Sequence, residues 1–300
     1  MKDKCFKGMK GAYAAMFTPI DKNGKINEAV IEQMIERGIA KGLNGFYLTG
    51  STGAWFLMTP EERKLVWTRA VKTANGRCKL IAHVGATSTD ESVALAKAAA
   101  DIGVDWLSSV APPVFCGNFD RTFYHYKRVS EATDLPFMVY SIGMDLVPER
   151  DIRFFDLKNV KGMKYTGRDY FAAQALKRDL DKRKETIWFA GCDEQLLCAL
   201  ALDGLFAGGI GTTYNIIPQH FVKICELAAK NDFKAAAKWQ DEANQVVRLM
   251  IESNNWSHRK AMMKLVGIDC GPYRGPFEKL TPAQEKAFLK RVAALGIVKR

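Results

Sequence analysis

The sequence predicts a (β/α)8 barrel, the TIM-barrel class of α/β fold, followed by a C-terminal three-helix extension. Three observations carry that expectation. Short apolar runs alternate with longer amphipathic ones eight times before residue 232. Such alternation implies a parallel sheet, and eight units over about 230 residues fit a closed barrel. The short runs are apolar nearly throughout, as a parallel strand buried on both faces requires. No Gly-rich phosphate loop follows the first of them, where Thr18-Pro19-Ile20-Asp21 stands instead, and this counts against an open doubly wound sheet.

Strands are expected at 12–18, 46–48, 80–84, 106–110, 137–140, 160–164, 187–190 and 204–210, each close to a Gly, Pro or Asn. Between them, 27–41 places Val30, Ile31, Met34, Ile35 and Ile39 at the 3–4 spacing of one helical face. Thr59-Pro60-Glu61-Glu62 is a helix start, with a capping threonine, a first-turn proline and acids at the positive end of the dipole. It leads into 63–74. Thr89-Asp90-Glu91-Ser92 opens 93–102 in the same way, and further helices fit 119–132, 148–156, 170–180, 194–202 and 218–230. Beyond 232 the strand pattern stops. Helices are expected at 233–253, 256–266 and 282–295, the last two joined through the turn-rich Gly271-Pro272-Tyr273-Arg274-Gly275-Pro276. With no linker in view, a barrel over 1–232 and an extension over 233–300 packed on it should form one structural unit.

Composition excludes several classes. Of the 300 residues 48% are hydrophobic and 26% charged, which is globular and neither disordered nor fibrous. No run approaches the roughly 20 apolar residues of a membrane helix. The run 12–17 is too short for a signal-peptide core, so a cytoplasmic protein is expected. Seven scattered cysteines, never paired as CxxC, point to reduced thiols and away from a zinc site or a disulfide framework. The net charge of +11 comes from basic residues interleaved with acidic ones, as in Arg178-Asp179-Leu180-Asp181-Lys182-Arg183. That is the pattern of solvated helix faces, with nucleic-acid binding a poor second. His83, His125, His220 and His258 have no metal-ligand spacing, and there is neither a GxSxG elbow nor a Walker loop.

In such a barrel, function gathers at the C-terminal ends of the strands. The second strand runs into Leu48-Thr49-Gly50-Ser51-Thr52-Gly53. An isolated GSTG reads as an ordinary βα turn, or as hydroxyls and N–H groups that bind a carboxylate or phosphate. Tyr140, on the fifth strand, reads either as a core aromatic or as a proton donor aimed into the mouth. Lys164 closes the apolar sixth strand, where its amine would point into a water-poor mouth. A lysine taken out of water gives up its proton more readily, and the neutral amine is the nucleophile that makes a Schiff base with a ketone. Thr166 follows on the same face if the strand persists. Asp193 and Glu194 after the seventh strand suit a helix cap well, and their place at the mouth also allows them to accept from polyol hydroxyls. The glycines of Gly208-Gly209-Ile210-Gly211-Thr212-Thr213-Tyr214-Asn215 allow a tight turn or a close ligand.

Taken together, Gly50-Ser51-Thr52-Gly53, Val139-Tyr140, Gly162-Met163-Lys164-Tyr165-Thr166-Gly167, Gly191-Cys192-Asp193-Glu194 and Gly209-Ile210-Gly211-Thr212-Thr213-Tyr214-Asn215 stand in order at the expected strand ends. In this the chain resembles the dihydrodipicolinate synthase/N-acetylneuraminate lyase family of class I, pyruvate-dependent aldolases, over essentially residues 8–295. The resemblance implies a homotetramer acting on a small 2-oxo acid without metal or bound cofactor. It implies an imine on Lys164, a carboxylate held by Ser51 and Thr52, and proton transfer through Tyr140 with Ser51. Thr166, Gly191, Asp193, Glu194, Gly211 and Thr212 would line a polyhydroxyl tail.

The branch follows from the acceptor end. Synthases of the dihydrodipicolinate type carry an arginine shortly after the strand-five tyrosine, and here none appears before Arg150. The expectation is therefore the lyase branch, cleaving N-acetylneuraminate to pyruvate and N-acetylmannosamine. The alternatives are a 2-keto-3-deoxygluconate-type aldolase or dehydratase, a synthase-like condensation, or a non-catalytic 2-oxo-acid-binding barrel. Ala54 and Trp55 follow GSTG where the lyases usually continue with glutamate. The stretch 111–116 has no tyrosine to match the one that the family supplies from a neighbouring subunit. Ser141 stands where asparagine is common, and the usual next proline is missing. These departures touch the acceptor end more than the imine end, which favours retained Schiff-base chemistry with an altered aldehyde.

Overall fold

In the computed structural model, which describes residues 4–114, 118–202 and 204–299, eight parallel strands close into a barrel in sequence order. They are β1 (Gly11–Ala15), β2 (Gly45–Leu48), β3 (Lys79–His83), β4 (Trp106–Val110), β5 (Phe137–Ile142), β6 (Val160–Thr166), β7 (Ile187–Ala190) and β8 (Gly208–Gly211). The ring is completed by β1 pairing with β8. The connecting helices are α1 (Glu28–Ala40), α2 (Pro60–Ala74), α3 (Thr89–Ile102), α4 (Phe119–Ser130), α5 (Pro148–Asp151), α6 (Tyr170–Asp181), α7 (Leu196–Leu200) and α8 (Pro218–Ala228). Then come α9 (Phe233–Glu252), α10 (Trp256–Ala261) and α11 (Pro282–Ala294). No helix among the described residues is long and apolar enough to cross a membrane.

Local chemistry explains most boundaries. Asn27 caps α1 by accepting from the Val30 N–H, and Thr59 forms a reciprocal capping box with Glu62 ahead of Pro60. The start of α3 differs from the sequence reading. Ser88 is its cap, and Thr89 is already helical, its hydroxyl turned to His125 Nδ1 at 3.1 Å. The strand limits shift too. β1 stops at Ala15, although Met16, Phe17 and Thr18 stay buried. β8 begins only at Gly208, because Gly204 turns the chain at φ +71°. β5 and β6 run two residues further than expected, which carries Tyr140 and Lys164 deeper into the barrel. The helices expected at 148–156, 194–202 and 256–266 are each part α-helix and part tighter 3-10 turn.

Two apolar layers result. The outer faces of the strands pack on the helices around Trp67, Trp188, Phe137 and Leu107. Inside the barrel, Tyr13, Tyr47, Ile81, Trp106, Met138, Tyr140, Phe189 and Ile210 form a second cluster. At its lower end Cys5, Phe6 and Met9 pack on this cluster, and the Trp106 indole donates to the Cys5 carbonyl at 3.2 Å. The C-terminal end of the barrel carries the candidate residues, with Tyr140 and Lys164 inside it.

Outside β4, His125 is fully buried, with Nε2 facing the Ser109 hydroxyl at 3.0 Å. Burial pushes its pKa down from 6.5 to about 4. The unfolded chain therefore takes up a proton across that interval that the folded chain refuses. Stability is full above 6.5 and falls as the pH drops towards 4, by on the order of 3 kcal/mol. Denaturant titrations over that interval should show the loss, and a shallower one in His125→Gln. Thr59→Ala should lower stability by about 1 kcal/mol, read from the urea midpoint at unchanged slope.

Candidate active site

Lys164 points inward from β6 and is 4% exposed. Its register partner on β5 is Tyr140. The amine stands 4.2 Å from the centroid of the Tyr140 ring and 4.4 Å from that of Tyr47. The two rings meet edge-on at 5.8 Å, and the Tyr47 hydroxyl donates to Ser108 Oγ at 2.9 Å. Ring faces attract a cation and exclude water at once. The lysine is thus held between two aromatics on the barrel axis, and it does not close the strand.

Beside it lies His83, fully buried. Its Nε2 accepts from the Val110 N–H at 3.3 Å, so Nδ1 carries the proton and donates to the Thr49 carbonyl at 3.1 Å. Burial, with the charges of Arg63 and Lys164, holds its pKa well below the ordinary range. A neutral imidazole with both nitrogens engaged is a brace, and no proton carrier.

That brace shapes the GSTG turn. Thr49 sits at φ +49°, a left-handed conformation costly for a β-branched residue. Its hydroxyl accepts from the Trp67 indole at 2.9 Å and donates to the His83 carbonyl at 3.2 Å. The turn then presents Ser51, half-buried, and Thr52, buried. Thr52 Oγ1 lies 2.6 Å from Thr212 Oγ1, so one hydrogen bond joins the end of β2 to the end of β8.

The tail-lining candidates form the opposite wall. Thr166 Oγ1 is buried without a hydrogen-bond partner among the described residues. Gly191 leaves room for it, because a Cβ there would come within 1.9 Å of that oxygen. Asp193 does not cap a helix. Its carboxylate accepts from both the N–H and the hydroxyl of Thr213, and its Oδ1 crowds Gly211, where a Cβ would come within 2.1 Å. Burial raises its pKa. Glu194 is the more open acid, 3.7 Å from Arg168. From α9, Gln240 and Asn244 hold the carbonyls of Asp193 and Glu194 at 3.1 and 3.3 Å.

Trp55 lines the mouth. It is 9% exposed, its ring 5.5 Å from that of His83. It also borders a cavity of about 430 Å³ that reaches Ile142, Met144 and Arg150. The Arg150 guanidinium is taken up by both oxygens of Asp151, at 2.7 and 3.1 Å. Of the stretch 111–116, Phe115 and Cys116 lie outside the described residues. No group of three or more His, Cys, Asp or Glu among the described residues could hold a metal ion.

The sequence profile of the dihydrodipicolinate synthetase family matches residues 8–295. The chain belongs to that family. It is therefore one of the class I, pyruvate-dependent aldolases, a family of lyases. Among its relatives, the N-acetylneuraminate lyase of Clostridium perfringens is 30% identical over 278 residues, 91% of this chain and 95% of that one. The crystal structure of N-acetylneuraminate lyase from Fusobacterium nucleatum superposes with a TM-score of 0.89 at 30% identity, covering 97% of this chain and 100% of that one. A dihydrodipicolinate synthase structure gives 0.87 at 26% identity, covering 96% and 100%.

Sequence reasoning missed Tyr47, His83 and the role of Thr49. In a strand buried on both faces nothing in the apolar pattern marks which side chains point inward. Replacing Gly191 by Ala should displace Thr166 and cost about 1–3 kcal/mol by overpacking, read as a lowered thermal midpoint.

Proposed function

We propose that this chain is a Schiff-base lyase that cleaves N-acetylneuraminate to pyruvate and N-acetylmannosamine. The observation that carries the reading is the Lys164 amine, buried between the Tyr140 and Tyr47 rings inside the barrel. Likeness to N-acetylneuraminate lyases over nine-tenths of the chain supports the substrate.

In this reading the Lys164 amine attacks the C2 ketone and water leaves, giving an iminium. Ser51 and Thr52 hold the adjoining carboxylate through their hydroxyls and the N–H groups of the turn. The C4 hydroxyl gives its proton to Tyr140 as the phenol passes its own on to Ser51, which supplies the later protonation at C3, and the C3–C4 bond breaks. Its electron pair moves to the iminium nitrogen, leaving an enamine and freeing the aldehyde. Protonation at C3 and hydrolysis then release pyruvate and restore the amine. Thr166, with an oxygen unpaired among the described residues, and Glu194, partly open, are the groups best able to bond a polyhydroxyl tail. Gly191, Gly211 and Thr212 shape its wall, and Asp193 acts chiefly by fixing Thr213. The occupied guanidinium of Arg150 argues against a synthase-like acceptor carboxylate. The family likeness further suggests a homotetramer.

The test is intact-protein mass spectrometry after borohydride reduction, with pyruvate and separately with N-acetylneuraminate. The same pyruvate adduct from both is expected, and none from Lys164→Ala. An adduct from pyruvate alone would keep the imine and move the substrate to another 2-oxo sugar acid. An undiminished adduct in Lys164→Ala would overturn the assignment.

A further inference from the structure

The turn 271–276 of the C-terminal extension is docked on the loops that follow β1 and β2. Arg274 reaches the Leu57 carbonyl at 2.9 Å and the Gly24 carbonyl at 2.5 Å, and it pairs with Glu62, the acid of the α2 capping box. The backbones touch directly, the Ile20 N–H donating to the Cys270 carbonyl at 3.0 Å. Gly271 lies so close to the Ile20 carbonyl that a Cβ would come within 1.8 Å of it, at a φ of +64°. At the centre of this contact is Tyr273, buried, whose hydroxyl donates to the Thr52 carbonyl at 2.8 Å across 221 residues of sequence.

The ring that carries this hydroxyl is fixed from behind. Lys260 is buried, donates to the Pro272 carbonyl at 2.9 Å and places its amine 4.8 Å from the Tyr273 centroid. Phe277 and Trp256 pack at 5.2 and 6.1 Å. Thr52 is consequently anchored twice, at its carbonyl by Tyr273 and at its hydroxyl by Thr212. The first bond sets the plane of the peptide between Thr52 and Gly53, and so limits the orientations open to Thr52.

We propose that Tyr273 is a positioning residue that orients the Ser51–Thr52 turn and thereby sets the affinity for the carboxylate of a 2-oxo acid. This rests on the reading of that turn as the carboxylate site. It gives the extension a part in ligand selection. Loss of the hydroxyl leaves a buried carbonyl unsatisfied and frees the turn to rotate, while the Lys164 amine is untouched. The effect should therefore fall on ligands with a carboxylate and spare ketones without one.

The experiment compares wild type with Tyr273→Phe, by borohydride trapping over a range of pyruvate and, separately, of acetone. The half-saturating pyruvate concentration should rise roughly tenfold, the scale of one buried hydrogen bond, with that for acetone unchanged. In a Thr52→Val background the Tyr273→Phe shift should shrink, because both changes act on one turn. Equal shifts for the two ketones, or none for pyruvate, would overturn the proposal. Wild type that traps no pyruvate would overturn it together with the Schiff-base reading, whereas intact wild-type trapping with an unselective variant would overturn it alone. Tyr273→Met removes the hydroxyl in a different shape and serves the same comparison if the phenylalanine variant fails to fold.

Discussion

An amine inside a barrel of apolar side chains needs neighbours that compensate for the water it has lost. For Lys164 these are two ring faces at 4.2 and 4.4 Å, and much of the site can be traced back to holding those rings. Tyr140 is set by the parallel register of β5 on β6, and Tyr47 by its hydrogen bond to Ser108 on β4. His83 packs against both rings and against Trp55, while its nitrogens fix the start of the GSTG turn and the end of β4. A displaced ring would therefore disturb the proposed nucleophile and the proposed carboxylate turn together.

The other half of the site is held from outside the barrel. Gln240 and Asn244 on α9 bond the carbonyls of Asp193 and Glu194, and Tyr273 bonds that of Thr52. All three bonds go to backbone carbonyls of turns that leave the barrel, where the strand ladder no longer fixes the chain. Short βα turns of this kind are the mobile part of a barrel. Bonds to their carbonyls restrain them without occupying the side chains that would meet a ligand.

Lys164 was legible in the sequence because a cation beside an apolar run is an anomaly that asks for a reason. Tyr140 was legible as one of two alternatives, and its place beside the Lys164 amine follows from the register of β5 on β6. Tyr47 was not legible, since in Gly45–Leu48 every residue is buried and periodicity cannot tell inward from outward. Asp193 looked like a helix cap because it is an acid at a helix start. Its partner Thr213 lies 20 residues on and reaches it only when β7 and β8 are neighbours. Ser88 and Thr89 are both good caps, and local chemistry alone does not rank them. Tyr273 lay furthest from reach, its partner being 221 residues away.

The departures at 54 and 55 fall on the wall of the mouth and leave its floor alone. Ala54 takes a left-handed φ of +54°, and Trp55 follows it inward until its ring leans on His83. Behind that ring Arg63 is buried, giving its protons to the carbonyls of His83 and Gly85, with no carboxylate bonded to it among the described residues. Burial lowers its pKa to about 10, which still leaves a cation at neutral pH. The indoles of Trp55 and Trp67, 5.8 and 5.5 Å from the guanidinium carbon, supply ring faces in its place. Trp55 is therefore tied to a buried charge on one side and to the cavity beside β5 on the other. A smaller residue there would widen the mouth, but it would also strip one ring from Arg63 and one from His83. The residue on the wall of the mouth is thus also part of the support for the proposed carboxylate turn, and the two cannot be altered independently.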